Sequence, residues 1–160
     1  MKISVYSKNF ADVSATERKI LKTAAEFYAN KLMTPRLIDT LSLTIYIVDG
    51  MYKETSNLGD CGPTDDDERF PKIFEINLDR RKRFKRILIS LAHEMVHLKQ
   101  YAKGELKFHD TKDLVTFQKE KYNGCEYWEA PWEIEAYGRE PGLFQMFKPT
   151  YNKLLRESRK

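Results

Sequence analysis

Two of the three histidines in the chain lie four residues apart around a glutamate, in the segment His93-Glu94-Met95-Val96-His97. In a helix, positions i and i+4 lie on the same face one turn apart, so both imidazoles can reach one metal ion. Glu94 projects toward the same side, where it can hydrogen-bond a water molecule at the metal without being a ligand. The spacing therefore predicts a metal centre with two histidine ligands and an adjacent carboxylate base.

The residues around this motif favour a helix that crosses a hydrophobic core. We expect a helix from about 82 to 103, with Gly104 as a left-handed C-cap. The apolar residues that flank or interrupt the motif are Ile87, Leu88, Ile89, Leu91, Ala92, Val96 and Leu98. The competing interpretation is a core helix in which two ordinary histidines hydrogen-bond to their neighbours.

A catalytic zinc ion usually has three protein ligands and one open position, so a third ligand must come from elsewhere in the chain. We favour Glu133 over His109, because a ligand on a predicted helix is held more rigidly than one on a polar loop. Glu135 is the fallback, although it points away if Glu133 points toward the metal. Tyr137 shares a helix face with Glu133 and can support the site.

The elements that must position these residues follow from periodicity and turn signals. Ser14-Ala15-Thr16-Glu17 matches a capping box and predicts a helix from about 15 to 33, ended near Pro35. Alternating apolar residues predict strands at about 41–48 and 73–78, and Asp79 can cap the metal helix. Between these strands we expect a long loop at about 51–71, with a short strand near Cys61.

The C-terminal third of the chain predicts a hairpin followed by two helices. Asn123-Gly124 lies between two apolar stretches, at 115–117 and 125–128, and is typical of a hairpin turn. Pro131 suits the first turn of a helix from about 131 to 140. A last helix from about 142 to 157 carries regularly spaced apolar residues.

The two motifs together resemble a known superfamily. His-Glu-x-x-His followed by Glu133-Ile134-Glu135-Ala136 is similar to the gluzincin branch of the zincin metallopeptidases. The compact size resembles the minimal ImmA/IrrE-like members. The flanking segments 98–101 and 131–138 are similar to metallopeptidases assigned to tailed bacteriophages, and the resemblance covers roughly residues 41 to 140.

The resemblance implies an α+β, zincin-like fold. A small, mainly antiparallel sheet would pack on the N-terminal helix and the metal helix, C-terminal helices would follow, and an edge strand at about 73–78 would pair with substrate. It also implies one Zn²⁺ per chain bound by His93, His97 and Glu133, with Glu94 as the catalytic base. Many relatives carry an aspartate directly after the alanine of the second motif, where this chain has Tyr137.

The expected function is hydrolysis of a peptide bond in a protein or peptide substrate. Tyr127, Tyr137 and His109 are the candidates for stabilising the oxyanion. A SprT-like protease would instead use His109 as the third ligand. A structural zinc site is a further alternative, although such sites usually have four protein ligands.

A different class of function is a catalytically silent, metal-binding regulatory or nucleic-acid-associated protein. The run Arg80–Arg86 contains six cationic residues in seven positions and favours this alternative. The simpler interpretation of the same run is a solvated start of a helix, which we prefer because charge runs are common.

Composition places limits on the class of protein. A chain of 160 residues suits one domain, 1–160, and its 41% hydrophobic and 32% charged content is ordinary for a globular protein. No apolar run reaches the length of a membrane span, and the N-terminus lacks the apolar segment of a secretory signal. Two cysteines do not make a disulfide framework. We therefore expect a cytoplasmic protein without a membrane partner, and the sequence leaves the oligomeric state open.

Overall fold

The computed structural model of the chain describes residues 1–9, 11–52, 58–67, 69–81, 83–109 and 113–158. Its architecture is α+β, with helices packed against a four-stranded sheet and a second, three-stranded sheet later in the chain. The strands of the first sheet are β1 (Lys2–Lys8), β2 (Ser42–Val48), β3 (Gly59–Pro63) and β4 (Ile73–Asp79). The helices are α1 (Ala15–Leu32), α2 (Pro35–Ile38), α3 (Phe84–Ala102) and α4 (Pro131–Glu157).

The four-stranded sheet has the order β1-β2-β4-β3 and is mixed. Strands β1, β2 and β4 run parallel, and only β3 is antiparallel to its neighbour β4. The expectation of a mainly antiparallel sheet is therefore wrong for this sheet. The expected edge strand at 73–78 is also wrong, because β4 lies between β2 and β3, and β3 forms the edge. β4 is interior because β2 and β3 pair with its two sides.

One face of this sheet is covered by helices. In β2, the buried residues Leu43, Ile45 and Ile47 alternate with the partly exposed residues Ser42 and Thr44, which is the pattern of a half-buried strand. The buried face joins the apolar sides of α1 and α3 in one core. The sheet therefore supports α3, the helix that carries His93, Glu94 and His97.

The predicted start of α1 is confirmed by its hydrogen bonds. The Glu17 backbone N–H donates to Ser14 Oγ over 3.1 Å, and the Ser14 backbone N–H donates to Glu17 Oε2 over 2.9 Å. The helix ends at Leu32, shortly before Pro35, which begins the short helix α2. The side chains that α1 buries are Ile20, Leu21, Ala24, Ala25, Tyr28 and Ala29.

Helix α3 is buried over most of its length, as the apolar flanks of the motif predict. Gly104 follows it with φ of +65°, and its N–H donates to the Tyr101 carbonyl over 2.8 Å, which confirms the left-handed cap. The expected capping role of Asp79 is wrong, because α3 starts only at Phe84. Asp79 is buried and instead accepts hydrogen bonds from the backbone N–H groups of Tyr52 and Arg81.

The second sheet is antiparallel and contains the strands β5 (Leu106–Phe108), β6 (Leu114–Phe117) and β7 (Glu120–Asn123). Its hairpin turn is Gln118-Lys119, in which both residues have positive φ, at 49° and 76°. The expected turn at Asn123-Gly124 is therefore wrong, since this dipeptide ends β7 instead of joining two strands. The second apolar stretch, 125–128, forms no strand, and its last two residues begin a 3-10 helix, Tyr127–Glu129.

Helix α4 is continuous where the sequence predicted two helices. It passes through Pro141, which lacks the N–H that would bond to the carbonyl of Tyr137 four residues earlier. The buried side chains of Leu143, Phe144 and Phe147 follow this position and pack into the main core, which offsets the lost hydrogen bond. None of the helices in the described ranges combines the length and hydropathy that a membrane-spanning segment needs.

The basic run lies largely in ion pairs at the start of α3. Lys82 lies outside the described residues. The pairs are Arg80 with Glu17 at 3.2 Å, Arg81 with Asp49 at 3.7 Å and Arg86 with Glu140 at 3.8 Å. These arginines therefore connect the start of α3 to α1, to the loop after β2 and to α4.

Candidate metal centre

Helices α3 and α4 lie side by side and bring His93, His97 and Glu133 together. The Nε2 atoms of the two histidines are 3.1 Å apart. Glu133 Oε2 is 3.3 Å from Nε2 of His93, and Glu133 Oε1 is 3.4 Å from Nε2 of His97. All three side chains are buried, so three potential ligands converge in a protected place. This group can hold a metal ion.

The orientation of His97 follows from the hydrogen bonds of Gln100. The Gln100 amide nitrogen donates to the Trp132 carbonyl and to Glu135 Oε2, each over 3.0 Å. Its oxygen therefore faces His97 Nδ1, at 2.9 Å, and accepts the proton of that nitrogen. In the neutral imidazole of His97, Nε2 is then the atom with the free lone pair.

His93 is oriented in the same way by Glu140. The Nδ1 atom of His93 lies 3.0 Å from Glu140 Oε2, so this nitrogen donates to a carboxylate. Glu140 is buried, and its other oxygen lies 3.8 Å from Arg86. A carboxylate or amide that holds the far nitrogen of a histidine is the usual support of a metal ligand. Both Nε2 lone pairs therefore point at the same place.

The spacing of the donor atoms suits one metal ion bound between them. His93 Nε2 faces Glu133 Oε2 at 3.3 Å, and His97 Nε2 faces Glu133 Oε1 at 3.4 Å. Glu133 Oε2 is also buried without a hydrogen-bond partner. Two facing lone pairs and an unpartnered carboxylate oxygen are unfavourable unless a cation or a proton lies between them.

Protons supply that positive charge in the metal-free protein. Burial alone would lower the pKa of His93, but the neighbouring carboxylates of Glu133 and Glu140 outweigh burial and raise the pKa to about 9. Burial would raise the pKa of Glu133, but the two histidines beside its carboxylate lower this pKa to about 2. The centre is therefore arranged to hold positive charge against buried carboxylates.

Glu94, also on α3, lies beside this group and faces strand β3. Burial raises the pKa of Glu94 to about 7, against the opposing charges of His97 and His93. Its carboxyl can therefore both accept and release a proton near neutral pH, as a general acid–base group must. Gly59 of β3 packs directly against this carboxylate.

An open cleft of about 430 Å³ exposes the group to solvent. The floor of the cleft is the α3 face that carries His93, Glu94 and His97. Residues of β3 line it, as do the aromatic side chains Tyr127, Trp128 and Tyr137. The group of His93, His97 and Glu133 is therefore reached from solvent through this cleft.

The structure brings two of the three predicted oxyanion candidates to the site. The hydroxyls of Tyr127 and Tyr137 lie 3.2 Å apart, and Tyr127 is near enough to Glu133 to help lower the pKa of that carboxyl. The Tyr137 ring centroid lies 4.6 Å from that of His93. Both tyrosines therefore lie beside the group of His93, His97 and Glu133.

His109 and Glu135 do not join this group. His109 Nε2 is hydrogen-bonded to Thr116 Oγ1 at 2.9 Å, beside the second sheet. Glu135 accepts hydrogen bonds from Lys99 and Gln100, so it points away from the centre as expected. The geometry favours Glu133 as the third ligand over these two alternatives.

Sequence reasoning missed the two residues that orient the histidines. Glu140 is seven residues after Glu133, which is two helical turns and therefore the same face of α4. Gln100 is likewise seven residues after His93 on α3. Glu140 falls inside the predicted helix at 131–140, but its contact with His93 depends on how α4 packs against α3, which no local signal in the sequence indicates.

Comparisons of the chain with protein-family models, with curated proteins and with solved structures found no match. The geometry of the centre is therefore the basis for a functional proposal.

Proposed function

We propose that the protein is a zinc-dependent peptidase of zincin-like fold that acts in the cytoplasm. The observation that carries this proposal is the convergence of two histidine Nε2 atoms and the Glu133 carboxylate while Glu140 and Gln100 occupy both Nδ1 atoms. Three protein ligands leave one position of a tetrahedral zinc ion open, which is typical of catalytic sites. The adjacent cleft gives a substrate access to that position.

His93, His97 and Glu133 would hold one zinc ion per chain. When bound, zinc acts as a Lewis acid that polarises a carbonyl group and lowers the pKa of water. The buried carboxylates Glu133 and Glu140 favour binding of this cation, since burial makes unpaired negative charge costly. Gln100 and Glu140 fix the directions in which the two imidazoles point.

Glu94 moves the proton in this mechanism. It accepts a proton from the attacking water molecule, whose oxygen bonds to the scissile carbonyl carbon, and it donates that proton to the leaving amine as the C–N bond breaks. A pKa of about 7 suits both steps, because neither proton acceptance nor proton release is then strongly unfavourable at neutral pH. Glu94 is buried between α3 and β3, which limits the contact of its carboxylate with bulk water.

The hydroxyls of Tyr127 and Tyr137 are placed to stabilise negative charge that develops on the carbonyl oxygen. Burial and the hydrogen bond with Tyr137 raise the pKa of Tyr127 above its ordinary value, so this hydroxyl stays protonated and can donate. Its contact with Glu133 places it beside the metal ligands. His109, the third candidate, is bonded to Thr116 and takes no part in this proposal.

The edge strand β3 is the surface on which an extended peptide would align. Its edge opposite β4 pairs with no strand in the described part of the chain, and Gly59, Asp60 and Cys61 line the cleft. Backbone N–H and C=O groups at such an edge can hydrogen-bond a peptide that adds as a further strand. Because Glu94 packs against Gly59, a peptide on β3 would pass over the proposed base.

The direct test compares zinc-loaded wild type with Glu94→Gln on denatured casein and on a library of quenched fluorescent peptides. Wild type should cleave, whereas Glu94→Gln should keep its zinc and lose roughly 10²- to 10⁴-fold in rate, because it cannot move the proton. Glu157→Gln, at a half-exposed position near the end of α4, is the matched control and should retain activity. Equal rates for wild type and Glu94→Gln, or a zinc-loaded wild type that cleaves nothing, would contradict the proposal.

A further inference from the structure

Three aromatic side chains form a platform on the rim of the cleft, and the proposed hydrolysis does not need the outermost one. The platform consists of Tyr127, Trp128 and Tyr137. Trp128 is 72% exposed, the largest value among the exposed large hydrophobic side chains of the described residues. A tryptophan contributes to core stability only when it is buried, so an exposed one at the mouth of a cleft indicates a binding role.

The platform is held in a fixed position relative to the metal-binding group. The Trp128 ring lies 5.3 Å from Tyr137 at an interplanar angle of 34°, and it lies 5.1 Å from Tyr127 in an edge-on arrangement. Tyr137 in turn packs against His93. The three rings therefore support one another and leave a face of Trp128 open toward solvent.

The platform and the edge strand β3 both line the cleft, and His93, Glu94 and His97 lie on its floor. Side chains of an extended peptide on β3 alternate between two directions, with a repeat of about 6.6 Å. One side chain close to the reacting bond can then reach the platform while the backbone stays on β3. Trp128 thus contacts a substrate side chain and not the reacting atoms, whereas the hydroxyls of Tyr127 and Tyr137 lie nearer to Glu133 and His93.

The chemistry of the platform favours an aromatic side chain. The hydroxyls of Tyr127 and Tyr137 hydrogen-bond each other, so the platform offers mainly ring surface to a ligand. Aromatic rings pack on such surfaces in offset or edge-on geometry. A lysine or arginine side chain also packs on aromatic rings, and the comparison of a phenylalanine peptide with a lysine peptide separates the two.

We propose that Trp128 and Tyr137 form a subsite that selects substrates with an aromatic side chain next to the scissile bond. This proposal rests on the proposed peptidase function, since it names the substrate class of the same cleft. Trp128 is then a specificity-determining residue. Tyr137 both supports the ring of Trp128 and contacts His93.

Binding can be measured without turnover in the zinc-loaded Glu94→Gln protein. The probes are three acetylated, amidated pentapeptides that have alanine at every position except a central phenylalanine, alanine or lysine. Trp128 is exposed and Trp132 is buried, so a ligand on the platform should shift tryptophan emission to shorter wavelength through Trp128. The phenylalanine peptide should bind about tenfold more tightly than the alanine peptide and cause the larger shift.

Two variants in the same background test the assignment. Trp128→Ala should keep its zinc, lose the emission shift and bind the phenylalanine peptide about tenfold more weakly in competition with a fluorescein-labelled copy. Ile134→Ala removes an exposed apolar side chain of α4 outside the cleft and should behave like its parent.

Equal affinities for the phenylalanine and alanine peptides, tighter binding of the lysine peptide, or unchanged binding by Trp128→Ala would overturn the subsite. A protein that shows the Trp128-dependent preference but never cleaves would keep the subsite and contradict the peptidase. A wild-type protein that cleaves all three peptides equally well would support the peptidase and contradict the subsite. The two proposals therefore fail in distinguishable ways.

Discussion

Gly59 and Glu94 are in such close contact that a β-carbon at Gly59 would lie 2.7 Å from Glu94 Oε1. Through this contact the edge strand β3 packs on helix α3 at Glu94, the proposed catalytic base. It shows that the strand passes directly over the carboxylate, and that only glycine leaves room for the side-chain position described here. The backbone of β3 therefore helps to position Glu94.

Gly59→Ala should lower turnover much more than it lowers stability. The added methyl group would displace the end of a flexible side chain and not backbone, so we expect a loss of stability of about 1 kcal/mol or less. A shift of the base by roughly 1 Å should reduce kcat on the order of 10²-fold, while zinc content stays at one per chain. Peptide cleavage and thermal unfolding measure the two effects.

Gly62→Ala is the matched control on the same strand, because a β-carbon there meets nothing within 4 Å. It should leave kcat unchanged. If both alanine variants lost activity equally, the effect would come from β3 in general and not from Glu94.

Glu140→Gln should weaken zinc binding although Glu140 is not a ligand. Glutamine keeps the size of the side chain but removes the charge that holds the His93 Nδ1 proton. Loss of such support typically costs 10- to 100-fold in metal affinity. Competition with a chromophoric zinc chelator measures the affinity.

Glu157→Gln changes a half-exposed glutamate near the end of the same helix and should leave zinc affinity unchanged. An unaltered affinity in Glu140→Gln would show that Glu140 does not orient His93. A loss in both variants would indicate a general effect of charge on α4.

The raised pKa of His93 predicts opposite pH dependences for metal binding and for the stability of the metal-free fold. A proton on His93 competes with zinc up to a pH of about 9, so zinc affinity should rise by up to about tenfold per pH unit between pH 6.5 and 9. The same proton stabilises the metal-free fold, fully below the unfolded pKa of about 6.5, and this contribution is lost as the pH rises through 9.

NMR titration of the metal-free protein can measure the pKa of His93 directly. Glu140→Gln should bring it down toward its ordinary value, because one of the two stabilising carboxylates is lost. A His93 that titrates below 6.5 in the wild type would show that burial outweighs the carboxylates, and the predicted pH dependences would then disappear.

Local signals in the sequence predicted the elements that carry the site. The Ser14 capping box, the apolar face around His93 and the glycine after α3 each depend on neighbouring residues alone, and the structure has all three. The pairing of β3 with β4 depends on a contact between distant segments. Periodicity therefore predicted β2 and β4, but neither the N-terminal strand β1 nor the positions of β4 in the interior and β3 at the edge of the sheet.

Two errors arose where tertiary packing outweighs a local signal. Asn123-Gly124 is the stronger hairpin signal, but the turn forms at Gln118-Lys119 with two positive φ angles that the residue types do not suggest. Two separate helices were predicted at 131–140 and 142–157, but burial of Phe144 and Phe147 keeps α4 continuous through Pro141. Glu140 lies on the face of Glu133 in either case, but its contact with His93 arises only when α4 packs against α3, so local signals indicated the proposed ligands and not the residue that orients His93.

Zinc content per chain tests most directly whether His93, His97 and Glu133 form one metal site. Elemental analysis of purified wild type after zinc loading and removal of excess metal should give about one zinc per chain. Glu133→Ala should lose it, and Glu135→Ala and His109→Ala should keep it. A wild type that stays free of zinc, or a Glu133→Ala protein that binds as much zinc as wild type, would contradict the proposed centre.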